Sequence, residues 1–377
     1  MDREIGLMLF YLCQAILLGL ALLLIARQNG KFSSYSILYV FVWTVSVIAI
    51  RLKYGVDQVS FYSYDQQTQL EMYERLLTNG LLFSPQQFVA DRYLIIIPIR
   101  IFDMFGIEPI LATKFLQAVC LLLLYQVCVK FLENNNLRVR LYHAIFFAGP
   151  LFIFLSTLGL RDLEIALATT YFFLGQNIYL RQFSFLVLLP LRPHLAVSLA
   201  FGWLSVYLFR RFKFKNFYVV LISLTILVFI IGSFGYVIGR NIQYGNNIVG
   251  PQIFVQDRWW RFLSNLVGLQ FLNFDQETLS MSIVRLLSLR LIFIDSFLIP
   301  ICFVITLLSQ KLEFTLNRIQ VFLSFTFFLG LAAQTDFNST RQNLPFLSTM
   351  GVLALLGLVK RGDNATLKSL ENSSAKS

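Results

Sequence analysis

Four cysteines and two histidines are all that this 377-residue chain offers to a disulfide framework or a metal site. Cys13, Cys120, Cys128 and Cys302 each lie inside an apolar run, with no CxxC pair and no Cys/His ligand spacing. Neither a disulfide scaffold nor a zinc site is expected. Charge is scarce as well: 14% of the residues are Asp, Glu, Lys or Arg, against about 25% in ordinary soluble domains. No Walker A loop, GxGxxG after a strand, GxSxG, HExxH or EF-hand pattern occurs. That excludes the familiar nucleotide and hydrolase signatures, and no cofactor is expected.

What the chain has instead is grease. It is 57% hydrophobic and contains 39 Phe, which marks an all-α polytopic integral membrane protein. The first run, 5–26, is too long for a signal-peptide core and lacks a small-residue cleavage site, so it reads as a span. The net charge of +11 does not indicate nucleic-acid binding, because most basic residues sit in short loops, as the positive-inside rule requires.

Runs long enough to cross are 5–26, 35–52, 109–132, 141–160, 163–180, 217–238, 291–309, 319–335 and 344–360. The stretch 183–209 is interrupted by Leu191-Arg192-Pro193-His194, and proline disfavours a helical residue before it. It reads as a hairpin of two short helices. The basic segments Arg27–Lys31, Lys130–Arg140, Arg210–Lys215, Lys311–Arg318 and Lys360–Lys368 then share one side, provided that 93–106 lies on the surface rather than crossing. About eleven transmembrane helices result, with an outer N-terminus and a cytoplasmic C-terminus. One membrane domain covers 1–361, and the polar tail 362–377 is expected to be disordered.

Two long amphipathic segments, 53–108 and 239–290, face outward in this scheme. The short turns at Arg161-Asp162, Arg192–His194 and Asp336–Arg341 open on the same side. A charge near bilayer depth costs roughly 2.5–3.5 kcal/mol on insertion scales, so such charges usually have an anion or a proton to handle. Arginine forks bind phosphate oxygens, tyrosine and tryptophan faces stack on a pyranose, and carboxylates accept sugar hydroxyls. A glycan carried on a lipid phosphate fits this set. The candidate phosphate-binding residues are Arg161, Arg192, Arg240, Arg258 and Arg341. Arg100 reads better as a snorkelling surface residue. Candidate sugar-stacking residues are Tyr62, Tyr64, Tyr73, Trp259 and Trp260, the last two fitting an interfacial aromatic belt equally well. Asp57 and Asp65 are acceptor-site carboxylates or solvated loop charges. Asp162 and Glu164 are catalytic acids or simply favourable first-turn residues of a helix. His194 is a base, a phosphate donor or a structural hydrogen-bonder.

The order of these features resembles the Wzy/EpsG-like family of bacterial O-antigen and exopolysaccharide repeat-unit polymerases. The resemblance rests on a basic first turn at Arg27–Lys31 and on Arg51-Leu-Lys-Tyr-Gly55-Val-Asp57 followed by Tyr62, Tyr64 and Tyr73. It continues with Gly159-Leu160-Arg161-Asp162 and the hairpin tip Leu191-Arg192-Pro193-His194. Asp162 stands where many relatives carry Gln or Glu. The resemblance implies a glycosyltransferase of the bacterial inner membrane acting at the periplasmic face. Its substrate would be oligosaccharide units on undecaprenyl diphosphate, and its partner a chain-length regulator. Metal is not required if arginines neutralise the leaving diphosphate. A GT-C-type transferase using a polyprenyl-phosphate sugar is the alternative enzyme, although its key Asp normally follows the first span rather than the second. A flippase or transporter of the same lipids is the remaining alternative, and would need a cavity open to both faces.

Overall fold

The computed structural model describes residues 2–27, 32–54, 63–79, 93–159, 161–211, 221–232, 298–309, 315–333 and 343–374. Every element among them is helical. α1 (Asp2–Ala26) and α2 (Ser34–Tyr54) form an antiparallel pair. α3 (Ser63–Asn79) and α4 (Tyr93–Met104) follow, and then α5 (Pro109–Asn134), which opens with proline in its first turn. α1, α2 and α5 are the described helices long and apolar enough to cross a membrane.

The next stretch is cut into shorter pieces. A 3-10 turn (Leu141–Phe146) precedes α6 (Pro150–Leu158), α7 (Asp162–Leu174), α8 (Ile178–Leu191) and α9 (Pro193–Arg211). The chain ends with α10 (Leu221–Gly232), α11 (Ile299–Ser309), α12 (Thr315–Ala333) and α13 (Leu344–Ser374).

The long outer faces of α1 and α2 are apolar and open: Leu17 and Leu24 are 64% and 71% exposed, and Phe41 66%. In water such a surface would be an aggregation liability; against lipid it is what a membrane helix presents. Trp43, Tyr39 and Leu22 occupy the seam between the pair and the rest of the bundle. Tyr35 stacks on Tyr125 at 4.3 Å and donates its hydroxyl to the Ala148 carbonyl at 2.5 Å, tying α2 to α5 and to the turn before α6. α7 packs on α5, α8 and α13. Inside its contact with α13, Thr170 and Ser348 share a hydrogen bond of 2.6 Å, the kind of buried polar link that joins helices where water is absent.

Four expectations need correction. The run 163–180 is not one helix: α7 stops at Leu174, and Asn177 caps α8 by accepting from the Tyr179 and Leu180 amides. The run 141–160 is likewise divided before Pro150, leaving α6 nine residues long. The tail from Gly362, expected to be disordered, continues α13 as helix to Ser374. A single glycine costs a helix only about 1 kcal/mol, and no proline follows it. Arg318, assigned above to a basic loop, is instead 2% exposed and donates to the Leu353 carbonyl at 3.1 Å. It binds α12 to α13, and a second bond of 3.5 Å reaches Thr306 on α11.

Candidate functional site

The break between α8 and α9 falls on Arg192, whose backbone leaves the helical region (φ −158°, ψ 77°) because Pro193 follows it. α8 and α9 pack against each other, so Arg192 sits at a turn between two apolar helices. A second turn meets it there. Gly159 holds a left-handed conformation (φ 72°) that ends α6, and Arg161 occupies the position that starts α7. The Arg161 guanidinium donates to the Leu191 carbonyl at 3.4 Å, linking the two turns. His194 lies in the electrostatic field of both Arg192 and Arg161, with its ring stacked on Phe328 at 5.9 Å.

Beneath Arg161 the first turn of α7 holds two acids. Asp162 is 1% exposed. Glu164 lies in the field of Arg161 and Asp162, and Gln117 of α5 donates to its Oε1 at 2.7 Å. The same Gln117 accepts the Leu163 amide through its Oε1 at 3.1 Å. One side chain thus satisfies an orphan donor at the start of α7 and fixes the carboxyl one residue further on. Glu164 also forms part of the wall of an open groove of about 1110 Å³ between α5, α7 and α8.

Lys114, one turn from Gln117 on α5, is 4% exposed and donates to the Thr157 carbonyl at 2.9 Å. It feels the charge of Arg51. Arg51 in turn forms a half-buried ion pair with Glu108 and lies 4.5 Å above the Tyr11 ring. Gln14 completes that clamp, accepting from the Glu108 amide at 3.3 Å and donating to the Gly106 carbonyl at 2.7 Å. Lys114 thus lies between the Arg51–Glu108 pair and the end of α6, which leads through Gly159 to Arg161 and Asp162.

Of the residues singled out from sequence, the structure brings together Arg161, Asp162, Glu164, Arg192 and His194. Tyr73 is elsewhere. Its ring is 5% exposed, its hydroxyl donates to Asp103, and Arg100 donates to that carboxylate at 2.8 Å. Burial raises its pKa above the ordinary tyrosine value, so the phenol keeps its proton and its role as donor. Tyr73 is therefore a packing residue between α3 and α4, and does not offer a face to a sugar. Arg100, read as a snorkelling surface residue, is 45% exposed and is partnered by Asp103 and Tyr73. Tyr64 and Asp65 fall in the first turn of α3. Asp57, Tyr62, Arg240, Arg258, Trp259, Trp260 and Arg341 lie outside the described residues, as does the segment 239–290.

Lys114 and Gln117 went unnoticed in the sequence because they sit within an apolar run. Their spacing of three, on one helix face, was the available signal. No group of three or more His, Cys, Asp or Glu side chains among the described residues is arranged to hold a metal ion.

No protein-family model, curated protein or solved structure matches the chain. Fold and composition therefore define a class rather than a relative: a helical, membrane-embedded protein with a charged cluster at one end of an apolar bundle.

Proposed function

We propose that this chain is a glycosyltransferase of the bacterial inner membrane. It joins oligosaccharide repeat units carried on undecaprenyl diphosphate, at the periplasmic face. The observation that supports the reading is the meeting of Arg161 and Arg192, from separate turns, beside His194, with Arg161 also next to the Glu164 carboxyl that Gln117 holds.

In this reading the sugar C1–O bond to the diphosphate breaks, and the electron pair leaves with the lipid diphosphate. Arg161 and Arg192 offset the charge that develops there. The acceptor hydroxyl of a second unit forms the new C1–O bond, and its proton passes to Glu164. His194 donates to the leaving phosphate. Lys114 holds the end of α6 through the Thr157 carbonyl without touching substrate.

The test is the glycan profile of cells in which the gene is deleted and restored as wild type, Arg161→Ala or Arg192→Ala. The proposal expects long polymer only with wild type, and a single capped repeat unit with the deletion and both variants. A repeat unit lacking one sugar would point to a single-sugar transferase using a polyprenyl phosphate. Unchanged polymer in the deletion would reject both enzymes and favour transport of the lipid-linked unit.

A further inference from the structure

The groove that Glu164 borders extends well beyond the charged cluster. Its wall on α5 runs from Cys120 to Asn134, about 21 Å of helix at 1.5 Å per residue and a large part of a bilayer's apolar core of about 30 Å. Between its ends Leu123 at 38%, Leu180 at 47% and Phe183 at 61% are exposed apolar side chains, with Gln126, Tyr171 and Ser184 among them.

The two ends differ in charge. Arg27 and Lys130 line one, with Glu133 as the carboxylate beside them. Glu164 lines the other, while Arg161 and Arg192 stand outside the lining. Among the described residues the ion pairs are Arg51–Glu108 and Arg100–Asp103, so neither Arg27 nor Lys130 is neutralised by a described carboxylate. A phosphate would be attracted to the first end, where two cations face one carboxylate.

We propose that this groove seats an anionic phospholipid, its phosphate against Arg27 and Lys130 and an acyl chain along α5 and α8 towards Glu164. Basic residues in pockets between transmembrane helices suit such headgroups, and the exposed Leu123, Leu180 and Phe183 suit an acyl chain. This inference requires only that the chain is embedded in lipid, and stands independently of the polymerase reading.

The experiment titrates delipidated full-length protein in detergent with palmitoyl-oleoyl phosphatidylglycerol or the matching phosphatidylcholine, and counts bound lipid by native mass spectrometry. Wild type is expected to prefer phosphatidylglycerol. The double variant R27A/K130A, altered only at exposed positions, is expected to lose about 30-fold in that affinity and Glu164→Gln to lose none. Val187→Trp, which fills the middle of the groove without changing charge, is expected to weaken both lipids. A thermal melt of each variant confirms that it is folded. Equal binding of the two lipids by wild type would overturn the proposal. So would undiminished binding by R27A/K130A or by Val187→Trp. A gain in Glu164→Gln with no loss in R27A/K130A would place the headgroup at the opposite end, as for a lipid-linked sugar entering from the other leaflet, and would also overturn it.

Discussion

Gln117 has two partners on α7 and serves both with one amide: it accepts from Leu163 and donates to Glu164. Replacing it with leucine keeps the volume roughly constant but strands a buried amide and a carboxyl. The expected cost is about 1–3 kcal/mol of stability, read as a lowered Tm of the purified protein. Polymer length should fall with it, since Glu164 loses the donor that aims it. A wild-type Tm for Gln117→Leu would mean that water or lipid replaces those bonds. Tyr73 supports the opposite expectation. Tyr73→Phe keeps the buried ring and removes only the hydroxyl that donates to Asp103. It should cost about 1 kcal/mol and leave the glycan profile unchanged. Loss of polymer with intact folding would return Tyr73 to the sugar site.

Among the elements, the ones legible from sequence were those whose apolar runs have no internal punctuation. The runs 5–26, 35–52 and 109–132 correspond to α1, α2 and α5, and the helix expected within 93–106 to α4. The hairpin tip at Arg192 was legible because Pro193 restricts the residue before it. Hydropathy averages over local chemistry, and there the reading failed. Asn177 caps α8 inside a run that looked continuous, and Gly149-Pro150 starts α6 inside another. The cluster was half legible for a related reason: charges at turns stand out, whereas Lys114 and Gln117 are revealed as site residues only when α7 is packed against α5. Gly159 is the hinge of that packing. Its φ of 72° suits glycine, and a Cβ there would come 2.6 Å from Thr113 Oγ1 and 3.1 Å from the Lys114 amide nitrogen. Gly159→Ala should therefore destabilise by more than about 1 kcal/mol and shorten the polymer, because it displaces Arg161 and Lys114 together. A variant with normal Tm and normal polymer would show that the turn tolerates the shift.

For the whole molecule, one physical idea connects sequence and site: an apolar bundle keeps its charges only where they are paired or used. Arg318 is held by carbonyls and Arg51 by Glu108, which accounts for two of the buried cations structurally. Arg161 and Arg192 meet where two turns come together, beside His194. If those turns face the periplasm, a reporter fused to the N-terminus should read outside and one fused to the C-terminus inside; the reverse pair would remove the site from the face where it is proposed to act. The most direct measurement places the purified protein in proteoliposomes with a repeat unit on undecaprenyl diphosphate. The account predicts a ladder of products rising by whole repeat units, with one undecaprenyl diphosphate released per new bond, and no ladder from Arg192→Ala. Active, folded protein that releases no diphosphate, or that adds only a single sugar, would contradict it.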